Sequence, residues 1–159
     1  VKQESNPEKP VLLVDDEKHI LSITTMFLQS CGINNIVTLN DSRGVLPFLL
    51  AKQVAVIVLD LHMPHITGLE LLPKIIKDFP HIPVIPMTAI DEIETVVACM
   101  KMGAFDYLTK PVESRRLIAS VEKALDLSSM SEELSSLKER LLSDYLEHPA
   151  AFAAIVTGI

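Results

Sequence analysis

Four apolar runs along the chain each end in polar residues with chemistry to offer. Residues 11–14 lead into Asp15 and Asp16, residues 54–59 into Asp60, residues 84–87 into Thr88, and residues 105–108 into Thr109 and Lys110. Short, nearly continuous apolar runs bounded by polar residues read as strands buried on both faces, as in parallel sheets. Residues 36–39 form a fifth, shorter run of this kind. Between the runs lie amphipathic stretches. Residues 17–31 place Ile20, Ile23, Thr24 and Phe27 on one helical face and stop at Gly32. Residues 41–52 form a second helix, opening Asp-Ser-Arg-Gly. A third starts with capping-box spacing at Thr67 and Glu70 and runs to about Phe79, with Pro73 able to kink it. A second capping-box pattern, Asp91 to Glu94, opens a helix that ends before Gly103, and Ser114 opens the last. Five βα units in succession predict an α/β fold, a parallel sheet with helices on both faces and right-handed crossovers. The carboxyl ends of such strands share one edge, where open α/β sheets place ligands, so Asp15, Asp16, Asp60, Thr88 and Lys110 are expected to converge there. Pro86 removes a donor from the fourth strand, and a local irregularity is expected at that point.

The last helix outruns its sheet. Leu117, Ile118, Val121 and Leu125 suit packing on strands, but Leu127, Met130, Leu134, Leu137 and Leu141 then recur at the 3–4 spacing of a coiled-coil seam. A helix over residues 114–146 would be about 50 Å long at 1.5 Å per residue. The surplus needs a partner, and the expectation is a homodimer through this helix, the alternative being a solvated helix. The expected domains are a loose lead-in at 1–9, a globular domain at 10–127, a coiled-coil-like linker at 128–147 and a tail at 148–159.

Composition narrows the partners. The chain has 159 residues, a formal charge of −7 and no basic stripe, so direct nucleic-acid contact by this segment is not expected. It has no apolar run of membrane-spanning length and no signal-peptide pattern, which suggests a soluble, cytoplasmic protein. Cys31 and Cys99 are the only cysteines and are read as reduced thiols. The chain begins at Val1 rather than at a methionine, so it is read as a trimmed piece.

Three gathered carboxylates repel one another by about 4 kcal/mol per pair at 4 Å with an effective dielectric near 20. Mg2+ is the natural counter-charge, since it takes hard oxygen ligands and bridges to phosphoryl oxygens. Lys110 adds a fixed ammonium and Thr88 a hydroxyl for a phosphoryl oxygen. Asp60, alone at the end of the most apolar run, is the candidate nucleophile for an acyl phosphate, while Asp15 and Asp16 form the metal pair. The ordinary reading of each, a cap or turn former, would have to hold at four successive strand ends together.

Asp15-Asp16-Glu17, Asp60 followed by Met63-Pro64 and Gly68, Thr88-Ala89, and the run from Gly103 through Lys110-Pro111 together resemble the receiver domain of bacterial two-component response regulators. The resemblance covers about residues 10–127. It implies a flavodoxin-like, doubly wound five-stranded parallel sheet of order 2-1-3-4-5, here with an extended C-terminal helix. It further implies that Asp60 takes phosphate from a sensor histidine kinase and that the backbone carbonyl of His62 joins Asp15, Asp16 and Asp60 around Mg2+. By the same resemblance Tyr107 moves with Thr88, and the Lys110–Pro111 peptide is cis. The tail from His148 resembles the entry to the ATPase module of enhancer-binding, NtrC-like, sigma-factor-dependent transcription activators. That implies an output domain, ATPase plus DNA-binding, outside this chain; the alternative is a disordered tail.

Two other readings compete. An aspartate-nucleophile phosphohydrolase would place a second Asp two residues after the nucleophile, where this chain has His62. A phosphate-independent scaffold would not need all five site residues. His62 and His65 form an H-x-x-H pattern that could suggest a transition-metal pair, but no further His or Cys lies near it in sequence.

Overall fold

The computed structural model describes residues 6–150. It divides into two units, Val1–Ser128 and Ser129–Ile159. In the first, β1 (Val11–Val14), β2 (Ile36–Leu39), β3 (Val56–Asp60), β4 (Val84–Ala89) and β5 (Leu108–Lys110) form one parallel sheet of order β2-β1-β3-β4-β5. They alternate with α1 (Lys18–Gln29), α2 (Val45–Ala51), α3 (Gly68–Asp78), α4 (Ile93–Met102) and α5 (Ser114–Glu147).

The period-two alternation of strand side chains sorts the core into two layers. Leu12, Val14, Ile57 and Leu59 pack with Val45, Leu71, Ile75 and Cys99 of α2, α3 and α4. Val11, Leu13, Val56 and Val58 pack on the other face with Leu21, Leu28, Leu117 and Val121 of α1 and α5. Cys31 and Cys99 are free thiols, both pushed up in pKa by burial. No helix among the described residues is long and apolar enough to cross a membrane.

Local differences from the sequence expectation have physical causes. Of the face expected for α1, Thr24 is buried and Phe27 packs against the core, whereas Ile20 is half-buried and Ile23 exposed; Leu21 and Leu28 complete the buried side, and the Thr24 hydroxyl is satisfied by donating to the Ile20 carbonyl at 2.7 Å. The second helix starts as a 3-10 turn over Ser42–Gly44, because an α-helix begun at Asp41 would need an N–H that Pro47 lacks. Pro73 lies on the solvent face of α3 without ending it. The Asp91 capping box does not form: the N-cap of α4 is Glu92, which makes no side-chain cap because its carboxylate is bound by His62.

The fifth run shortens to Leu108–Lys110. Asp106 accepts from the Tyr107 N–H, from both Arg116 amino groups and from the Ser120 hydroxyl, all at 2.8 Å, which draws the backbone out of the ladder. That departure also accommodates Pro86. The Val84 carbonyl accepts from Phe105, so Pro86, two residues on, faces the same stretch ahead of β5, where its missing donor breaks no ladder; pairing with β3 runs through Leu59 and Pro86 unbroken.

The stretch expected as a lead-in is partly tied down. Asn6 Oδ1 accepts from the backbone of Asn34 and Asn35, and the Asn35 amide donates to the carbonyls of Pro7 and Glu8. Residues 1–5, and the part of the tail at 151–159, lie outside the described residues. In the second unit α5 carries Leu127's successors Met130, Leu134, Leu137 and Leu141, which are 47–65% exposed.

Candidate functional site

β1 and β3 are paired, and both end at the same edge, so Asp15 and Asp60 emerge side by side. Both are buried, at 0% and 2% exposure, while Asp16 is more open. One carboxylate oxygen from each of Asp15, Asp16 and Asp60 falls within 4.8 Å of the others, the one such cluster among the described residues. Asp15 Oδ1 accepts from the Glu17 N–H at 2.9 Å and so turns the chain into α1. Asp60 Oδ1 accepts from the His62 N–H at 3.2 Å.

Lys110 is the last residue of β5, and the Lys110–Pro111 peptide that follows it is cis. Its Nζ stands 2.9 Å from Asp15 Oδ2 and 3.2 Å from Asp60 Oδ1. One ammonium does not balance three carboxylates. Burial, and then the charge of Asp15, push Asp60 up to about 6 against the opposing pull of Lys110 and the His62 N–H. Lys110 is raised as well: burial works to lower it, but Asp15 and Asp60 together outweigh that. Asp15 Oδ2 is fully buried and, although close to Lys110, accepts no well-directed hydrogen bond. A buried, charged oxygen without a directed donor, beside two more carboxylates, fits a hard divalent cation.

Thr88 is buried next to last in β4, and its hydroxyl donates to the Ala89 carbonyl at 2.8 Å. Tyr107 is 38% exposed, with the Arg116 guanidinium 5.8 Å from its ring centroid and donating to its carbonyl at 2.8 Å.

The loop between β3 and α3 closes the site from one side. Gly68 N–H donates to the Leu61 carbonyl at 3.1 Å, and a Cβ on Gly68 would lie 2.0 Å from the Asp60 carbonyl oxygen, so only glycine fits. The two histidines of the H-x-x-H pattern point to different partners. His62 Nε2 lies 2.7 and 2.9 Å from the Glu92 carboxylate oxygens, whereas His65 sits near Asp41. Neither belongs to the acidic cluster.

Sequence reasoning did not find Glu92, whose role depends on two loops meeting across the sheet edge. It also passed over Ser42, which binds this loop from the 3-10 turn; a serine after an aspartate reads as an ordinary cap.

A family model described as "Response regulator receiver domain" matches residues 11–122. The nitrogen assimilation regulatory protein NtrX of Azorhizobium caulinodans is 34% identical over 131 residues, which are 81% of this chain and 29% of that protein. The DNA-binding transcriptional regulator NtrC of Salmonella typhimurium is 36% identical over 115 residues, 72% of this chain and 24% of that protein. The crystal structure of NtrX from Brucella abortus in complex with ATP superposes with a TM-score of 0.73 at 31% identity, covering 82% of this chain and 30% of that one. The receiver domain of the same protein gives 0.68 at 31% identity, covering 73% and 98%. The chain spans under a third of the full-length relatives it matches.

Proposed function

This chain belongs to the response regulator receiver domain family, and from that premise we propose that Asp60 is its phosphoacceptor, charged by a phosphohistidine on a sensor kinase. The observation that carries this reading is the Asp15–Asp60–Lys110 cluster, with Asp16 beside it and one ammonium among the acids. In the transfer an Asp60 oxygen forms a bond to phosphorus as the phosphorus–nitrogen bond of the donor imidazole breaks, and the imidazole leaves with a proton. Lys110 orients Asp60 and meets the incoming oxygens. Thr88 exchanges the Ala89 carbonyl for a phosphoryl oxygen. Asp15, Asp16, Asp60 and the backbone carbonyl of His62 would hold Mg2+, which supplies the positive charge that offsets the carboxylates and a phosphoryl oxygen. Self-phosphorylation from small phosphodonors and self-dephosphorylation are proposed for the same site.

A phosphoryl group adds about 1.5 to 2 negative charges. When Thr88 turns toward it, the Ala89 carbonyl loses one of its two donors and keeps the Glu92 N–H, which loosens the segment leading to α4 and lets Tyr107 move with it. Arg116 ties Tyr107 to the start of α5, so the change reaches that helix. The exposure of Leu127, Met130, Leu134, Leu137 and Leu141, at 46–65%, supports a homodimer seam along α5. The chain's relatives are transcription regulators, and the output domain of this protein is proposed to be of that kind, with a cytoplasmic location. His62 in place of a second Asp, its ring engaged by Glu92, disfavours a phosphohydrolase.

Titration with beryllofluoride tests the site. One equivalent is expected to bind only with Mg2+ present and not to bind Asp60→Asn. Equal binding by that variant would remove the assignment.

A further inference from the structure

We propose that Ser42 is a positioning residue for the metal site, fixing from the far side the backbone loop whose His62 carbonyl is assigned to the cation. This rests on the magnesium reading above. Ser42 lies in the 3-10 turn before α2, 22 to 24 residues away from the loop it touches, and is 2% exposed. Its hydroxyl donates to the Pro64 carbonyl at 2.9 Å and accepts from the Ile66 N–H at 3.1 Å. These two bonds straddle His65, the one non-glycine residue with positive φ, at 70°, among those described. A side chain held in the left-handed region persists where its surroundings over-determine it. Here one hydroxyl does so, using both its donor and its acceptor capacity.

The loop is therefore pinned at two points. At its base the Gly68 N–H meets the Leu61 carbonyl, with Gly68 seated under the Asp60 carbonyl. At its tip Ser42 holds residues 64 and 66. Between them lie His62, whose N–H donates to Asp60 Oδ1, and Met63, whose side chain is buried. A main-chain carbonyl cannot be re-aimed by a rotamer, so its direction is set by the anchors on either side. Removing the hydroxyl leaves the Pro64 carbonyl and the Ile66 N–H without their partner, and the loop must move or admit water to satisfy them. Groups that orient a metal ligand without touching the metal commonly change affinity by about 10- to 100-fold when lost.

Calorimetric Mg2+ titration of the unaltered chain, Ser42→Ala and Ser42→Thr, with amide exchange followed at Ile66 and melting temperature recorded for each, tests this. Ser42→Ala is expected to bind Mg2+ about tenfold more weakly, at the lower end of that range, with faster exchange at Ile66. Ser42→Thr keeps the hydroxyl and should bind within about twofold of the parent, because the bonds to residues 64 and 66 are retained. Should Ser42→Ala not fold, Ser42→Cys, similar in shape but a weak hydrogen-bonding group, carries the same test with a loss of about threefold. Unchanged Mg2+ affinity in a folded alanine or cysteine variant, with exchange at Ile66 accelerated, would make Ser42 a structural peg and overturn the proposal while leaving the site intact. Absence of Mg2+ binding by the unaltered chain would remove both.

Discussion

The carbonyl oxygen of Asp60 lies where a side chain on Gly68 would have to begin: a Cβ there would stand 2.0 Å from that oxygen and 2.7 Å from Leu61 Cα. Both neighbours are backbone at the carboxyl end of β3, so the clash cannot be relieved by a rotamer. Gly68→Ala is expected to cost about 1–3 kcal/mol of stability and to slow phosphorylation of Asp60 by about tenfold through displacement of the acceptor. Urea unfolding and labelling rates with acetyl phosphate check the two effects separately.

Asp60 gives stability an inverted pH dependence when Mg2+ is withheld. Its folded pKa is raised to about 6, above the unfolded value of 3.8, so its contribution is fully present below about pH 4 and is lost as pH rises through 6. Asp60→Asn is therefore expected to be more stable than the parent at pH 7, by about 1–3 kcal/mol after allowance for coupling to Asp15 and Lys110, and equal to it near pH 4. Urea unfolding across that range, in chelator, measures the difference; addition of Mg2+ should reduce it.

Asp106 behaves in the opposite sense. Burial works to raise its pKa, but hydrogen bonds from Arg116, Tyr107 and Ser120 outweigh that and hold it at about 2. Its contribution is present above about pH 4 and is lost as pH falls toward 2. Asp106→Asn should cost about 1–2 kcal/mol at pH 7, the pair being partly screened by solvent, with the cost shrinking between pH 4 and 2. Since Arg116 also holds the Tyr107 carbonyl, the variant should broaden the Tyr107 ring signals in NMR spectra.

For the helix, Leu134→Asp and Leu137→Asp should convert a dimer into monomers by placing a charge in the seam. Light scattering at concentrations where the parent is dimeric would show half the mass. An unchanged mass would remove the seam from the account.

Much of this site was legible in the chain because strands buried on both faces write themselves as unbroken apolar runs. Once residues 11–14, 56–60 and 84–89 are strands of one parallel sheet, Asp15, Asp60 and Thr88 must share an edge, whatever the intervening helices do. Lys110 followed from the same rule even though its strand is only three residues long. Features decided by side chains meeting across loops were not legible. Asp106 continues an apolar run by position, yet Arg116 and Ser120, ten and fourteen residues later, turn it out of the strand. Asp91 has a capping-box partner at the right spacing, but His62 captures the adjacent Glu92 and moves the cap. On α1, Thr24 and Phe27 lie on the packed side as the periodicity predicts, but Leu21 and Leu28 complete that side while Ile23 is exposed.

The most direct measurement is the intact mass of the chain after incubation with acetyl phosphate, with and without Mg2+, alongside Asp60→Asn. One phosphoryl adduct on the parent, dependent on Mg2+ and absent from the variant, is the expected result. An equal adduct on Asp60→Asn, or one formed equally in chelator, would contradict the assignment of Asp60 and its acidic neighbours.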